Sequence, residues 1–433
     1  MTFHHSIRRL AVLGVGLGVA LSAAACGSSD TTDTGSTSTA DWTKKGPINY
    51  VQGKDTSGSV QKWIDVWNKD HPDEKVTLIE LSDKADEQRA SMIQNHNNKG
   101  ASKYDIISVD VVWTAEFAAT GVVMELPKAE FDTTGYLPAA VDAATYFDKL
   151  YAFPSTSDGA MLYYRKDLLD AAKVTAPPKT WDEMKAICKT VIADNPGMTC
   201  YGGQFQKYEG LTCNIAEWIN SAGGQFLDKD GKPQVNSPEA MAGVNALLDS
   251  FKDGTISKEQ LTWQEEPSRQ AFQDGKLVFL RNWPYVYANA QKTDGSSKIV
   301  DKFAVAPIPG LTDYGVSTLG GHNMGVPAEA SNLGTVKAFT LWWNNQEQQK
   351  VHVIATSNAP TIETLYTDPD LVKQFPYLTT LHESILKAQS RPKAVKYGDV
   401  TAAIQDATYS ALNGSDAKAA FDTLQTKLVE LTK

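Results

Sequence analysis

From Ile48 onward the chain alternates two hydrophobic periods, and that alternation restricts the fold more than any single motif does. Ile48 to Gln52 reads as a strand, Val60, Trp63, Ile64 and Trp67 recur at helical spacing, and Val76 to Glu80 reads as a second strand. A helix from about Lys84 to Asn98 then precedes a third strand, Asp105 to Val109. Strands separated by helices predict an α/β lobe with a mainly parallel sheet, whose ligands sit at strand ends. At 433 residues the chain amounts to between two and three units of ~150 residues, so two large lobes are expected. The alternation resumes after Tyr151-Ala152-Phe153-Pro154, with helices near 166–172, from Trp181, and at about 212–222, 238–252 and 267–274. Phe303 to Pro309 reads as a strand leaving toward another lobe. The last hundred residues are mostly helical, with Ala417, Phe421, Leu424, Leu428 and Leu431 on one apolar face.

The N-terminus carries Arg8 and Arg9, an apolar run from Leu10 to Leu21, and small residues up to Cys26. This is the pattern of a secretory signal, and the run is short of the ~20 residues that span a bilayer. Leu21-Ser22-Ala23-Ala24-Ala25-Cys26-Gly27 resembles a bacterial lipobox, which implies an acylated Cys26 at the mature N-terminus. Residues 27–39 contain no large apolar side chain and read as a flexible tether. The expected location is therefore the outer face of a cell membrane, with the protein exported and lipid-anchored.

Lys plus Arg number 41 against 51 Asp plus Glu, a net charge of −10, which makes a poor phosphate-backbone binder. No nucleic acid partner is expected. Outside Cys26 the cysteines are Cys188, Cys200 and Cys213, with no Cys-x-x-Cys pair. In an oxidising compartment Cys188 with Cys200 is the expected disulfide, with Cys213 buried; three reduced thiols are the alternative. Signatures of serine hydrolases, zinc proteases, P-loops and EF-hands are missing from the sequence, and its seven histidines are scattered. No catalytic residue, cofactor or metal is assigned. What the chain does offer is aromatics beside carboxylates and amides: Asp110-Val111-Val112-Trp113, Lys207-Tyr208-Glu209-Gly210 and Arg281-Asn282-Trp283-Pro284-Tyr285. A sugar ring presents an apolar face to Trp or Tyr and hydroxyls to carboxylates and Arg. Each run also has a structural reading: Trp113 as core, Trp283 and Tyr285 closing a loop, Asp110 capping a helix.

Those runs, together with Asp158 to Leu169, Glu265-Glu266-Pro267, Thr318-Leu319-Gly320-Gly321 and Arg391-Pro392, occur in the order and spacing of a known family. Nearly all of the mature chain resembles the extracellular solute-binding proteins of bacterial ABC sugar importers, most closely the trehalose/maltose-binding branch. The resemblance implies two α/β lobes with the ligand cleft between them, joined by hinge crossings. On that pattern residues 46–153 with about 306–358 form the N-terminal lobe, and 154–305 with about 359–433 the C-terminal lobe, after a signal (1–25) and tether (26–45). It further implies that Asp110, Asp158 and Arg391 hold sugar hydroxyls, that Trp283 and Tyr285 pack on or border a ring, and that Gly320 and Gly321 let backbone approach the ligand. Glu209 is a weaker candidate. The chain departs from the branch at Ser59, Thr156 and His322, where an acid, a Tyr and a Trp are usual, and His322 takes its place in the ligand set. The expected function is capture of an α-glucoside, trehalose ahead of maltose, for delivery to permease subunits by a monomeric, non-enzymatic protein. A secreted glycoside hydrolase, with two carboxyls roughly 5 to 9.5 Å apart, is the rival; a receptor for another oligosaccharide is the other.

Overall fold

The computed structural model describes residues 40–432, so the signal, Cys26 and tether residues 27–39 lie outside the described residues. Among the described residues nine of the eleven strands form two main sheets. The first draws on β1 (Ile48–Gln52), β2 (Val76–Glu80), β3 (Ile106–Asp110), β6 (Ala152–Pro154) and β11 (His322–Gly325), in the order β2-β1-β3-β11-β6. A short hairpin of β4 (Thr145–Tyr146) and β5 (Lys149–Leu150) precedes β6. The second sheet has the order β10-β7-β9-β8, from β7 (Met161–Tyr164), β8 (Thr199–Gly202), β9 (Leu277–Asn282) and β10 (Ala304–Ala306).

The first βαβ unit follows directly from its apolar spacing. Val60, Trp63, Ile64 and Trp67 are the buried residues of helix Val60–Asp70, which lets β1 and β2 run parallel. Trp67 Nε1–H donates to the Glu74 carbonyl at 2.8 Å, fixing the helix against the loop that returns to β2. The sheet is mixed, not mainly parallel: β11 runs antiparallel to both β3 and β6. That reversal arises because β11 arrives from the other lobe after a long excursion. It sets His322 directly opposite Asp110, so two strand ends meet at one edge of the sheet.

β10 corrects a further expectation. Ala304 to Ala306 pairs antiparallel with β7 and closes the edge of the second sheet, and only the residues after it leave that lobe. β9 is buried along its whole length and delivers Trp283-Pro284-Tyr285 at its carboxyl end. Behind this sheet Trp181 stacks on Trp218 with ring centroids 3.8 Å apart. Cys188 and Cys200 are disulfide-bonded, tying helix Trp181–Asp194 to β8, and Cys213 is free and buried.

The two sheets are linked by paired backbone. Asp158 and Gly320 exchange hydrogen bonds (N–H to O 3.0 and 2.8 Å), Thr156 and His322 exchange another pair (2.8 and 3.2 Å), and Ser157 N–H donates to the Ala359 carbonyl at 3.3 Å. The crossings therefore form a ribbon along the base of the cleft. Among the described residues no helix is long and apolar enough to cross a membrane.

Candidate functional site

A cavity of about 370 Å³ lies above this ribbon, lined from both sheets, within the ~300–1,000 Å³ usual for small-molecule sites. All nine residues taken as ligand candidates from the sequence line it: Asp110, Asp158, Glu209, Trp283, Tyr285, Gly320, Gly321, His322 and Arg391. They come from three strand ends, one helix start, the crossings and the segment between helices Tyr377–Lys387 and Tyr397–Leu412 that carries Arg391, which explains their wide separation in sequence.

Asp158 sits in the ribbon, and among the described residues no hydrogen bond is formed by its carboxylate. Burial pushes its carboxyl up to about 7, and the nearby charge of Asp110 adds to the shift. Asp110, at the end of β3, accepts from the Val112 N–H (3.2 Å) and from Arg391 Nη2 (2.8 Å). Arg391 is 2% exposed, and its Nη1 donates to Glu209 Oε1 at 2.5 Å. Glu209 opens helix Glu209–Ser221. Its carboxyl is pushed up to about 7 by burial, against the opposing pull of Arg391. His322 is lowered by burial, with Asp110 opposing and Arg391 reinforcing, so a neutral imidazole faces the cleft.

Trp283 is half-buried, its ring 4.1 Å from the Arg281 guanidinium. Arg281 is itself held by Glu217, with Nε and Nη2 donating at 2.7 and 2.5 Å. Such support behind an aromatic platform fixes the ring's plane before any ligand arrives. Tyr285 donates its hydroxyl to Glu266 Oε1 at 2.6 Å, and Tyr208 donates to Glu265 Oε2 at 2.6 Å. The two glycines line the cavity and are also required by the packing around them. A Cβ on Gly320 would stand 2.8 Å from Trp283 Cζ3, and one on Gly321, at φ +112°, would stand 2.2 Å from the Thr156 carbonyl oxygen. Their missing side chains make room for protein: the Trp283 ring and the facing crossing.

Trp113 is core, 1% exposed, and sits at the start of helix Thr114–Ala119 away from the cavity. Sequence reasoning missed Trp63, which lines the cavity beside His352 (ring centroids 4.0 Å). Its helical spacing marked it as core, and spacing cannot separate a core face from a cavity wall. Arg281 was also missed, although its adjacency to Asn282 and Trp283 was the available signal.

Two lobes, a paired crossing and a cleft that combines an aromatic platform with unpartnered carboxylate chemistry have a match among known families: residues 62–380 fit the family model described as bacterial extracellular solute-binding protein. The chain belongs to that family. This solute-binding protein is 34% identical over 384 residues to the "Probable ABC transporter-binding protein" of Deinococcus radiodurans, covering 86% of this chain and 90% of that relative. Its fold overlays that of maltose-bound MalE3 of T. maritima with a TM-score of 0.83 at 29% identity, covering 89% of this chain and 99% of that one. It also overlays the GacH receptor of Streptomyces glaucescens with a TM-score of 0.80 at 20% identity, covering 90% and 98%. The last likeness concerns the fold alone.

Proposed function

We propose that the protein is the extracellular substrate-binding subunit of an ABC sugar importer, held at the membrane by an acylated Cys26, and that it captures an α-glucoside disaccharide, trehalose first and maltose next. The supporting observation is the arrangement around Gly320: a braced Trp283 ring and the free carboxylate of Asp158 face one cavity that Arg391 also lines. A pyranose placed there stacks its C–H face on the indole and donates hydroxyls to Asp158, while Arg391 donates to ring or hydroxyl oxygens. The maltose in the MalE3 structure supports the substrate class.

Capture proceeds by hinge closure about the ribbon of residues 155–160 and 318–322. The closed, loaded form is the one that docks on the permease subunits, and the protein itself performs no chemistry. Isothermal titration calorimetry on a form lacking residues 1–26, against trehalose, maltose, maltotriose, sucrose and glucose, tests this. Tight binding of trehalose or maltose, with the sugar recovered intact, is the expected result. Silence on all five overturns the substrate class, and recovered glucose overturns the binding-only reading.

A further inference from the structure

Glu209 lines the cavity, yet both of its carboxylate oxygens are occupied by protein. Oε1 accepts from Arg391 Nη1 (2.5 Å) and from the Tyr397 hydroxyl, and Oε2 accepts from the Thr401 hydroxyl at 2.7 Å. A carboxylate offers roughly four acceptor positions, so little of Glu209 is left to meet a ligand. Its donors come from beyond residue 390, brought to the start of helix Glu209–Ser221 by the segment that follows helix Tyr377–Lys387 and by helix Tyr397–Leu412.

Two bonds from this cluster cross the cleft. Arg391 Nη2 donates to Asp110 at the end of β3, and the Glu209 backbone N–H donates to Asp86 Oδ2 at 3.0 Å, on helix Ala85–Asn97 of the first lobe. One planar guanidinium thus engages a carboxylate from each lobe, a geometry that Arg can hold and Lys cannot. The same helix repeats the device two turns on, where Glu217 grips Arg281 beneath Trp283 and also accepts the Thr318 N–H of the ribbon at 3.2 Å. In both places the carboxylate is spent on orienting an arginine.

We propose that Glu209 is a positioning residue and not a sugar ligand: it aims Arg391 across the cleft, so that the guanidinium which holds ligand hydroxyls also bolts the two lobes together. This rests on the solute-binding reading of the cleft. Closure and capture then share one cation, and its aim is set by a carboxylate that never touches the ligand.

A double-mutant cycle read by calorimetry with trehalose and maltose separates the roles. Glu209→Gln is expected to weaken binding ~10- to 100-fold, the scale of losing a charged hydrogen-bond partner. In an Arg391→Ala background the same change is expected to cost nothing further. An equal loss in both backgrounds means that Glu209 meets the sugar itself, and it overturns the proposal. Small-angle X-ray scattering supplies a second arm that needs no ligand: the unliganded wild type already visits the closed arrangement that these bonds hold, and Glu209→Gln and Arg391→Lys are expected to enlarge the mean radius of gyration by depleting it, with thermal unfolding confirming that both variants fold. An unchanged radius in both overturns the bolt. If the wild type binds no sugar while the radii still increase, the substrate reading fails and the bolt stands.

Discussion

Asp158 is an ionisable group held where its ion is disfavoured, and the linkage has a definite sign. Its carboxyl is raised from 3.8 to about 7. Between those two values the native protein binds more protons at this site than the unfolded chain, so the contribution to stability falls as pH rises through that window. Asp158→Asn is therefore expected to flatten the pH dependence of thermal unfolding between pH 5 and 8 and to raise the melting temperature at pH 8, while weakening sugar binding. A slope identical to wild type would place the carboxyl outside the strained position. At Trp283 the expectation concerns affinity: Trp283→Ala should cost ~1 to 3 kcal/mol of binding measured by calorimetry, the scale of one buried ring contact. The residue types of the site were legible because aromatic-next-to-acid runs are uncommon and chemically specific. Which atoms face the ligand was not legible, because it depends on partners far away in sequence. Glu209 is occupied by groups 182 to 192 residues downstream, which no local pattern reveals.

At the scale of elements, strands and helices whose burial follows a single period were readable to the residue. β1 and β2 have the bounds that their sequence predicts, and helix Pro238–Lys252 starts at its proline behind a Ser237 cap. β10 shows what periodicity cannot supply, since a strand signal says nothing about its partner; here the partner is β7, some 140 residues earlier. The ribbon of crossings was equally hidden, for its pairing joins short irregular segments with little hydrophobic pattern. Its two glycines separate stability from affinity. Gly321→Ala forces a side chain onto φ +112° and against the Thr156 carbonyl, a backbone contact with no room to yield. A loss of ~1 to 3 kcal/mol or more in urea unfolding is expected. Gly320→Ala instead meets the far end of the Trp283 ring, so its main effect should be on sugar affinity, with the urea midpoint shifting less than for Gly321→Ala.

Over the whole molecule the lobes have separate sheets but not wholly separate cores. Tyr397, from the C-terminal helices, packs in the cluster of Val109, Val112 and Phe117 behind β3, and Leu137 and Ala140 pack with Leu319, Leu365 and Tyr366. Apolar contacts of this kind, added to the ribbon and the Arg391 bridge, couple the unfolding of one lobe to the other. The disulfide offers a way to see this, because Cys188 and Cys200 lie deep in the second lobe, in the cluster with Trp181 and Trp218, and neither lines the cavity. The bond closes a segment of 12 residues, and removing a cross-link around a loop of that size costs about 3 kcal/mol in the chain-entropy treatment. A Cys188→Ala, Cys200→Ala double variant is therefore expected to melt at a lower temperature in scanning calorimetry while binding its sugar with unchanged affinity at 25 °C. Because the lobes share apolar clusters, the expected thermogram is one transition displaced as a whole. If instead a low-temperature peak separates from an unmoved high-temperature one, the lobes unfold independently, and the shared clusters contribute less than the ribbon's geometry suggests.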